Sequence, residues 1–290
     1  MPPEPIVSVI IPVYNGEKTL KMCLDSVLEQ TYKNYEVIVV DNNSTDRTKE
    51  IICNLKEDYD RIKYIFSERR TTGSARNEGV KAAEGEVVVF TDSDCICPHN
   101  WIEKITMPIR LEGEIAAVGF EDDPVNNYWT RNIQKSDESH MRHYSHGGYI
   151  TIFDTKNAAI RAQVLKKLMF DPDINISDDL DLAVRIIMEN RIRYIPSVRV
   201  CHFHRTSLRS TVKTYFLRAF WSFRISRKYK KVNCSAVDTM FENMSLKRWI
   251  VFPFWVLFQF TKRPPGEAYF IFVSEFSWRA GLLWSIIKGY

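Results

Sequence analysis

The first ninety residues alternate short, β-branched apolar runs with segments of helical period, and this alternation restricts the fold more than any other feature. Val7-Ser8-Val9-Ile10-Ile11, ended by Pro12, reads as a buried strand. Residues 18–30 then place Leu20, Cys23, Leu24, Val27 and Leu28 on one helical face. Further strands are expected at 36–40, 63–66 and 86–90, with helices at 45–55 and 74–83. Strands rich in Val and Ile joined by helices of this length imply parallel β-α-β units, hence an open α/β sheet. Ligands bind such sheets beyond the carboxyl ends of the strands, which directs attention to the loops after Ile11, Val40 and Phe90.

Beyond residue 97 the pattern loosens. Strands are expected at 115–120 and 149–153 and a helix at 179–189, while 121–147 is polar and without a clear period. From about residue 208 the chain becomes helical, basic and aromatic. Residues 199–290 hold 16 Lys/Arg against 4 Asp/Glu, leaving a balance of −8 in the remainder, and they carry 21 of the 37 aromatic residues. A composition that is 45% hydrophobic and 26% charged excludes a disordered or fibrous chain. The six cysteines form no Cys-x-x-Cys pair and Met1-Pro2-Pro3-Glu4 shows no secretory leader, so a reduced, cytosolic compartment is the expectation.

Several segments carry chemistry-bearing residues. Pro12-Val13-Tyr14-Asn15 and Asp41-Asn42-Asn43-Ser44-Thr45-Asp46 place small polar groups at two strand ends, where they could bind a base and ribose or simply turn the chain and cap a helix. Thr91-Asp92-Ser93-Asp94 brings two carboxylates off the end of a buried strand, a costly arrangement unless a cation offsets it. A hard divalent ion with a diphosphate would do so. Ser177-Asp178-Asp179-Leu180-Asp181-Leu182 packs three carboxylates into four residues at a helix start. One would suffice for capping, so the surplus marks either a catalytic carboxylate or a heavily capped helix. Val200-Cys201-His202-Phe203-His204-Arg205 offers two histidines that could complete an aspartate-containing metal site or remain solvated. His140, His143 and His146 lack cysteine partners and are not read as a zinc cluster. No Gly-x-Gly-x-x-Gly, P-loop or Gly-x-Ser-x-Gly motif is present.

Taken together and in this order, these segments, with Ala75-Arg76-Asn77-Glu78-Gly79, resemble the family 2 glycosyltransferases of GT-A fold over roughly residues 7–208. The resemblance implies an inverting enzyme that uses a nucleotide-sugar donor, with UDP the expected nucleotide, and Mg²⁺ or Mn²⁺. It implies Asp94 as metal ligand, Asp92 on the ribose or on metal-bound water, His202 as a further metal ligand and His204 as a second candidate. Asp179 matches the general base that deprotonates the acceptor hydroxyl, with Asp178 and Asp181 on the acceptor side. Asp41 and Asn42 would face the base, Pro12, Tyr14, Asn15 and Ser93 would line the nucleotide site, and Arg76 would close it. The chain departs from the family pattern in carrying Asn42 where a second Asp is common, and Asp178 where the family has Glu. The expected organisation is a catalytic domain at 1–208, with a nucleotide-binding half at 1–97 and an acceptor half at 98–208, followed by a tail at 209–290.

Two other readings share parts of this pattern. A sugar-nucleotide pyrophosphorylase has a similar sheet and acidic site but needs a Gly-rich basic loop after its first strand, which 12–18 does not supply. A catalytically inactive, nucleotide-binding partner subunit would not need Asp92, Asp94, Asp179 and His202 together. A nucleic-acid binder ranks last, because the tail aromatics lie in apolar runs and not on a stacking platform.

Within the tail, Val212, Tyr215, Phe216, Ala219, Phe220 and Phe223 recur at helical spacing among Lys and Arg, as in a helix lying at a membrane surface. Residues 249–260 are too short to span and are broken by Pro253. Residues 268–287 are long enough but carry Glu275 and Arg279. The expectation is a peripheral or re-entrant attachment to the cytoplasmic face of a membrane, presenting a glycan or polyprenyl-linked acceptor. The alternative is a tail that packs within the chain or forms a homo-oligomer.

Overall fold

Every residue of β1 (Val7–Val13) and β2 (Tyr35–Asp41) is buried, which explains why both read as continuous apolar runs and not as alternating ones. The computed structural model describes residues 6–68, 71–203, 207–232 and 252–289. With β3 (Ile62–Phe66) and β4 (Val87–Phe90), these strands form a parallel set in the order β3-β2-β1-β4. The crossovers are α1 (Leu20–Leu28), α2 (Thr48–Asp58) and α3 (Thr72–Ala82). Helix α3 approaches the sheet closely because Gly79 lacks a side chain: a Cβ there would run into Ile10 and Val40.

The second half adds β5 (Cys95–Ile96), α4 (Trp101–Leu111), β6 (Ala116–Asp122), α5 (Tyr128–Tyr144), β7 (Ser145–His146), β8 (Tyr149–Ile150), β9 (Ala158–Arg161), α6 (Ala162–Leu168), α7 (Asp178–Ile187) and β10 (Ile192–His202). The full sheet runs β3-β2-β1-β4-β9-β6-β10-β8-β7, with β5 pairing β10. Strand β9 is antiparallel to both β4 and β6, so the sheet is mixed, and β6 and β10 again run in the direction of β4. The carboxyl ends of β1, β2, β4, β6 and β10 therefore share one edge. Trp101 Nε1 donates to Asn157 Oδ1 at 2.8 Å, and Asn157 Nδ2 donates to the carbonyls of Phe120 and Val198, tying α4 to β6 and β10. Pro196 sits where the β6–β10 register shifts between Tyr194 and Arg199, the sort of bulge that tolerates a missing donor.

Several details differ from the expectations. The strand expected at 149–153 shortens to β8, β9 was not anticipated, and the polar stretch 121–147 contains the 17-residue helix α5. The five described cysteines, Cys23, Cys53, Cys95, Cys97 and Cys201, are free thiols.

The chain divides into two units, one of Met1–Pro124 with Ser145–Phe203, the other of Val125–Tyr144 with His204–Tyr290. The second unit thus takes in residues 125–144, which a boundary at 208 assigns to the first. It is built from α5, α8 (Leu208–Lys228), α9 (Phe252–Lys262) and α10 (Pro265–Ile287). The buried face of α8 is Thr211, Ala219, Ser222 and Ile225, and that of α10 includes Ser274, Ser277, Gly281 and Ser285. These small residues let the two backbones close up; a Cβ on Gly281 would strike the Phe216 carbonyl. Of the stripe expected to lie on a membrane, Ala219 is buried and Tyr215 meets the Phe270 ring edge-on, while Val212 is exposed. Large exposed apolar side chains gather on α9 and α10, among them Phe254 (72% exposed), Leu257, Phe258, Phe276 and Ile287.

Candidate active site

The shared carboxyl edge collects the polar residues of the first unit. Val13 and Asp41 are register partners at the ends of β1 and β2, and Asn42 N–H donates to the Val13 carbonyl. Asp41 is buried and fully engaged: Oδ1 accepts from Ser44 N–H at 2.9 Å and Oδ2 from the Tyr64 hydroxyl at 3.1 Å. Burial and the nearby Asp41 charge push the Tyr64 phenol up to about 12. Asn42 is also buried, but its Oδ1 has no hydrogen-bond partner, which leaves an acceptor for a ligand. Asn15 has φ 52° and its Oδ1 accepts from Thr45 N–H, so it braces the two loops against each other. Pro12 lies within β1, Tyr14 is exposed, and Ser93 is half-buried beside Asp92.

Asp92 and Asp94 leave the end of β4, and β5 then turns back to pair antiparallel with the end of β10, His202 opposite Cys95. That pairing delivers His202: its Nε2 lies 3.5 Å from Asp94 Oδ1, while Phe203 N–H donates to the Asp94 carbonyl. On the other side of the ring, His202 Nδ1 is 2.9 Å from Glu121 Oε2, at the end of β6. Burial disfavours the charged imidazole, yet the Asp94 and Glu121 carboxylates on its two sides outweigh it and push His202 up to about 10. Burial likewise works to raise Asp94, and the His202 contact overcomes it and holds the carboxyl below its ordinary range.

Arg76 joins the acidic segments. Its Nη1 is 2.7 Å from Asp178 Oδ2 and its Nη2 is 3.2 Å from Asp92 Oδ1, with the guanidinium set over the Phe170 ring. Next to it, Asn77 makes a two-way clamp with the Phe170 backbone. The segment 75–79 thus holds α3 to the sheet, to the Asp-x-Asp turn and to the approach to α7.

The three carboxylates of α7 separate into different duties. Asp178 goes to Arg76. Asp181 is fully buried and paired with Arg185 across one helical turn, so it has no free edge for an acceptor. Asp179 has no ion-pair partner among the described residues; its Oδ1 accepts only the neighbouring Leu180 N–H. Burial, then Asp154 and Asp178, push Asp179 up to about 7, against the pull of Arg76 and Lys156. Ser177, at the N-cap, makes no side-chain cap and is held at φ 66°. His204 lies outside the described residues.

Sequence reasoning missed three residues here. Glu121 is the penultimate residue of β6, and Lys156 sits between Glu121 Oε2 at 3.4 Å and Asp154 Oδ2 at 2.6 Å. The rule that pointed to the ends of β1, β2 and β4 finds Glu121 too, once β6 is known to share their direction.

Among the described residues no three His, Cys, Asp or Glu side chains form a ready metal cluster. Asp94 and His202 nonetheless present an oxygen and a nitrogen close enough to share one ion, with the far ring nitrogen already engaged by a carboxylate. This donor set suits Mn²⁺ or Mg²⁺ completed by phosphate oxygens and water.

Known proteins resemble this chain in sequence and in fold. The family model described as Glycosyl transferase family 2 matches residues 8–169. The glycosyltransferase AglE of Haloferax volcanii is 26% identical over 265 residues, covering 90% of this chain and 83% of that protein. The mannosyltransferase PcManGT of Pyrobaculum calidifontis, solved with GDP-Man and Mn²⁺, superposes with a TM-score of 0.71 at 20% identity, covering 97% of this chain and 87% of that one. TarS 1–349 of S. aureus, solved with UDP-GlcNAc, gives 0.59 at 19% identity, covering 80% and 69%. Both structures share the GT-A fold with this chain.

Proposed function

The chain belongs to glycosyl transferase family 2 and is a glycosyltransferase, and from that premise we propose that it transfers a hexose from a nucleotide sugar to an acceptor hydroxyl with inversion, Asp179 serving as general base. The observation that carries this reading is the division of labour on α7. Two of its carboxylates are neutralised by arginines, and the third stands half-buried with an affinity for protons matched to neutral pH. Asp179 takes the acceptor proton as the hydroxyl oxygen attacks the anomeric carbon from the face opposite the nucleoside diphosphate, which departs with the bonding pair. No covalent enzyme intermediate is needed. Asp94 and His202 would hold a divalent ion, which supplies positive charge to the departing diphosphate. Asn42 offers its unpartnered carbonyl oxygen to the base, and Arg76 holds Asp92 and Asp178 in fixed relation around the donor.

UDP is the expected nucleotide. PcManGT with GDP-Man and TarS with UDP-GlcNAc make those two donors the first to try. The test is a panel of nucleotide sugars scored for Mn²⁺- or Mg²⁺-stimulated release of nucleoside diphosphate. One donor should respond. Asp179→Asn should lower acceptor transfer by about 10²–10⁴-fold with donor affinity near wild type. Asp94→Ala should abolish metal-stimulated nucleotide binding while the fold survives. Transfer by Asp179→Asn above about a tenth of wild type would return the α7 carboxylates to a purely structural role.

The acceptor side of the proposal is a lipid-linked glycan carrier met at the cytoplasmic face of a membrane. What supports it is the run of exposed Phe, Trp, Leu and Ile on α9 and α10, larger than single scattered apolar residues. By length and composition α10 could cross a membrane. Glu275 and Arg279 at its centre pair with each other, and Arg279 rests 3.9 Å above the Phe252 ring. We place both helices shallowly in the headgroup region, with Lys262, Arg263 and Lys288 at their ends.

A further inference from the structure

Asp94, His202, Glu121, Lys156 and Asp154 form a continuous chain of contacts drawn from four segments of the first unit. Resting on the reading of Asp94 and His202 as the metal-binding pair, we propose that Glu121 is the positioning residue that turns His202 Nε2 toward that ion, and that Lys156 fixes Glu121 in turn. The argument begins in the sheet. Strands β6 and β10 are parallel neighbours with Glu121 opposite Val200, so the end of β6 lies beside the residue that His202 follows by two. Glu121 Oε2 reaches His202 Nδ1 at 2.9 Å, on the side of the ring away from Asp94.

An imidazole binds a metal through a bare nitrogen, and either nitrogen can be the bare one. A carboxylate at Nδ1 keeps the proton there, frees Nε2 and makes it a better donor. The Glu121, His202 and Lys156 side chains are all at least 85% buried, so the contact is shielded from water. A buried carboxylate on a ring that also meets Asp94 needs positive charge beside it, and Lys156 lies 3.4 Å away. Lys156 is itself gripped at both ends by one residue: Asp154 Oδ1 accepts its backbone N–H and Oδ2 its ammonium. Asp154 thus holds the ammonium beside the Glu121 carboxylate.

The test is Mn²⁺ binding to the purified full chain, followed by electron paramagnetic resonance with UDP and, separately, with GDP present. Nitrogen-14 modulation of the bound Mn²⁺ signal reports imidazole coordination. Wild type should show it and His202→Ala should lose it. Glu121→Ala should weaken Mn²⁺ binding by about 10- to 100-fold and reduce the nitrogen modulation of what still binds. Glu121→Gln, which keeps an acceptor but no charge, should fall between, and it decides the matter if the alanine variant does not fold. Wild-type affinity and modulation in the folded Glu121 variants would overturn this inference and leave the metal pair standing. Absence of the nitrogen signal from wild type would remove His202 as a ligand, and the role of Glu121 with it.

Discussion

Arg76 and Asp178 lie 2.7 Å apart although 102 residues separate them, and both side chains are almost completely buried. Their pairing locks α3, which leans on the parallel half of the sheet, to the helix that carries the proposed base. The same guanidinium reaches Asp92, so donor-side and acceptor-side carboxylates are held by one planar group.

Removing one member of such a pair leaves the other charge buried and uncompensated, at a cost of about 3–5 kcal/mol. Asp178→Ala should therefore lower the melting temperature by roughly 10 °C in calorimetry. Asp178→Glu, which restores the residue common in the family, should keep the ion pair and most of the stability. Arg76→Lys should rescue little, since a single ammonium cannot satisfy both carboxylates.

The pH dependence of turnover should follow Asp179. Its carboxyl is raised to about 7, so the basic form is scarce in acid and complete only above neutrality. kcat/KM should climb tenfold per pH unit up to about pH 7 and then level. Because Asp154 contributes to the rise, Asp154→Asn should move the midpoint to lower pH, and the residual rate of Asp179→Asn should lose this limb.

Stability should move the opposite way from activity at this position. A carboxyl with a higher proton affinity folded than unfolded opposes folding when charged. That penalty is absent below about pH 4, grows between 4 and 7 and is full above 7. Asp179→Asn should accordingly melt about 5 °C higher than wild type at pH 8, for roughly 1–2 kcal/mol after allowing for partial exposure, and at the same temperature as wild type at pH 4. A uniform shift at both pH values would point to packing and not to charge.

For the second unit, the full chain should float with anionic liposomes at low salt and, in part, at high salt, where apolar contact remains. Replacing Phe254, Leu257 and Phe276 together with serine should abolish flotation without changing helix content. A wild-type chain that stays in solution at both salt concentrations, and sediments as a dimer, would assign the apolar face to contact between copies.

The sequence alone shows the parallel half clearly, because β1, β2 and β4 are buried on both faces and carry unbroken Val and Ile runs. Helix α5 escapes for the opposite reason: only Thr130, Met141 and Tyr144 of its seventeen residues are buried, too thin a stripe to set a period. Strand β9 escapes because Ala158 and Ala159 have little strand preference, and pairing with β4 on one side and β6 on the other makes the strand. Asp92, Asp94, Asp179 and His202 stand out as motifs. Glu121 and Lys156 do not, since what they touch is decided by which strands become neighbours.

The pairing of β5 with the last two residues of β10 has a consequence for how the protein comes into being. Cys95 and His202 leave the ribosome more than a hundred residues apart, yet Asp94 has its histidine only when they meet. The nucleotide half can settle its parallel strands early, from contacts close in sequence, and still lack the imidazole beside Asp94. A growing chain is thus incompetent at this edge until β10 has emerged and docked, so assembly of the site belongs to the slow, long-range end of folding. A cut anywhere between these two strands would leave pieces that must find each other before the edge is whole.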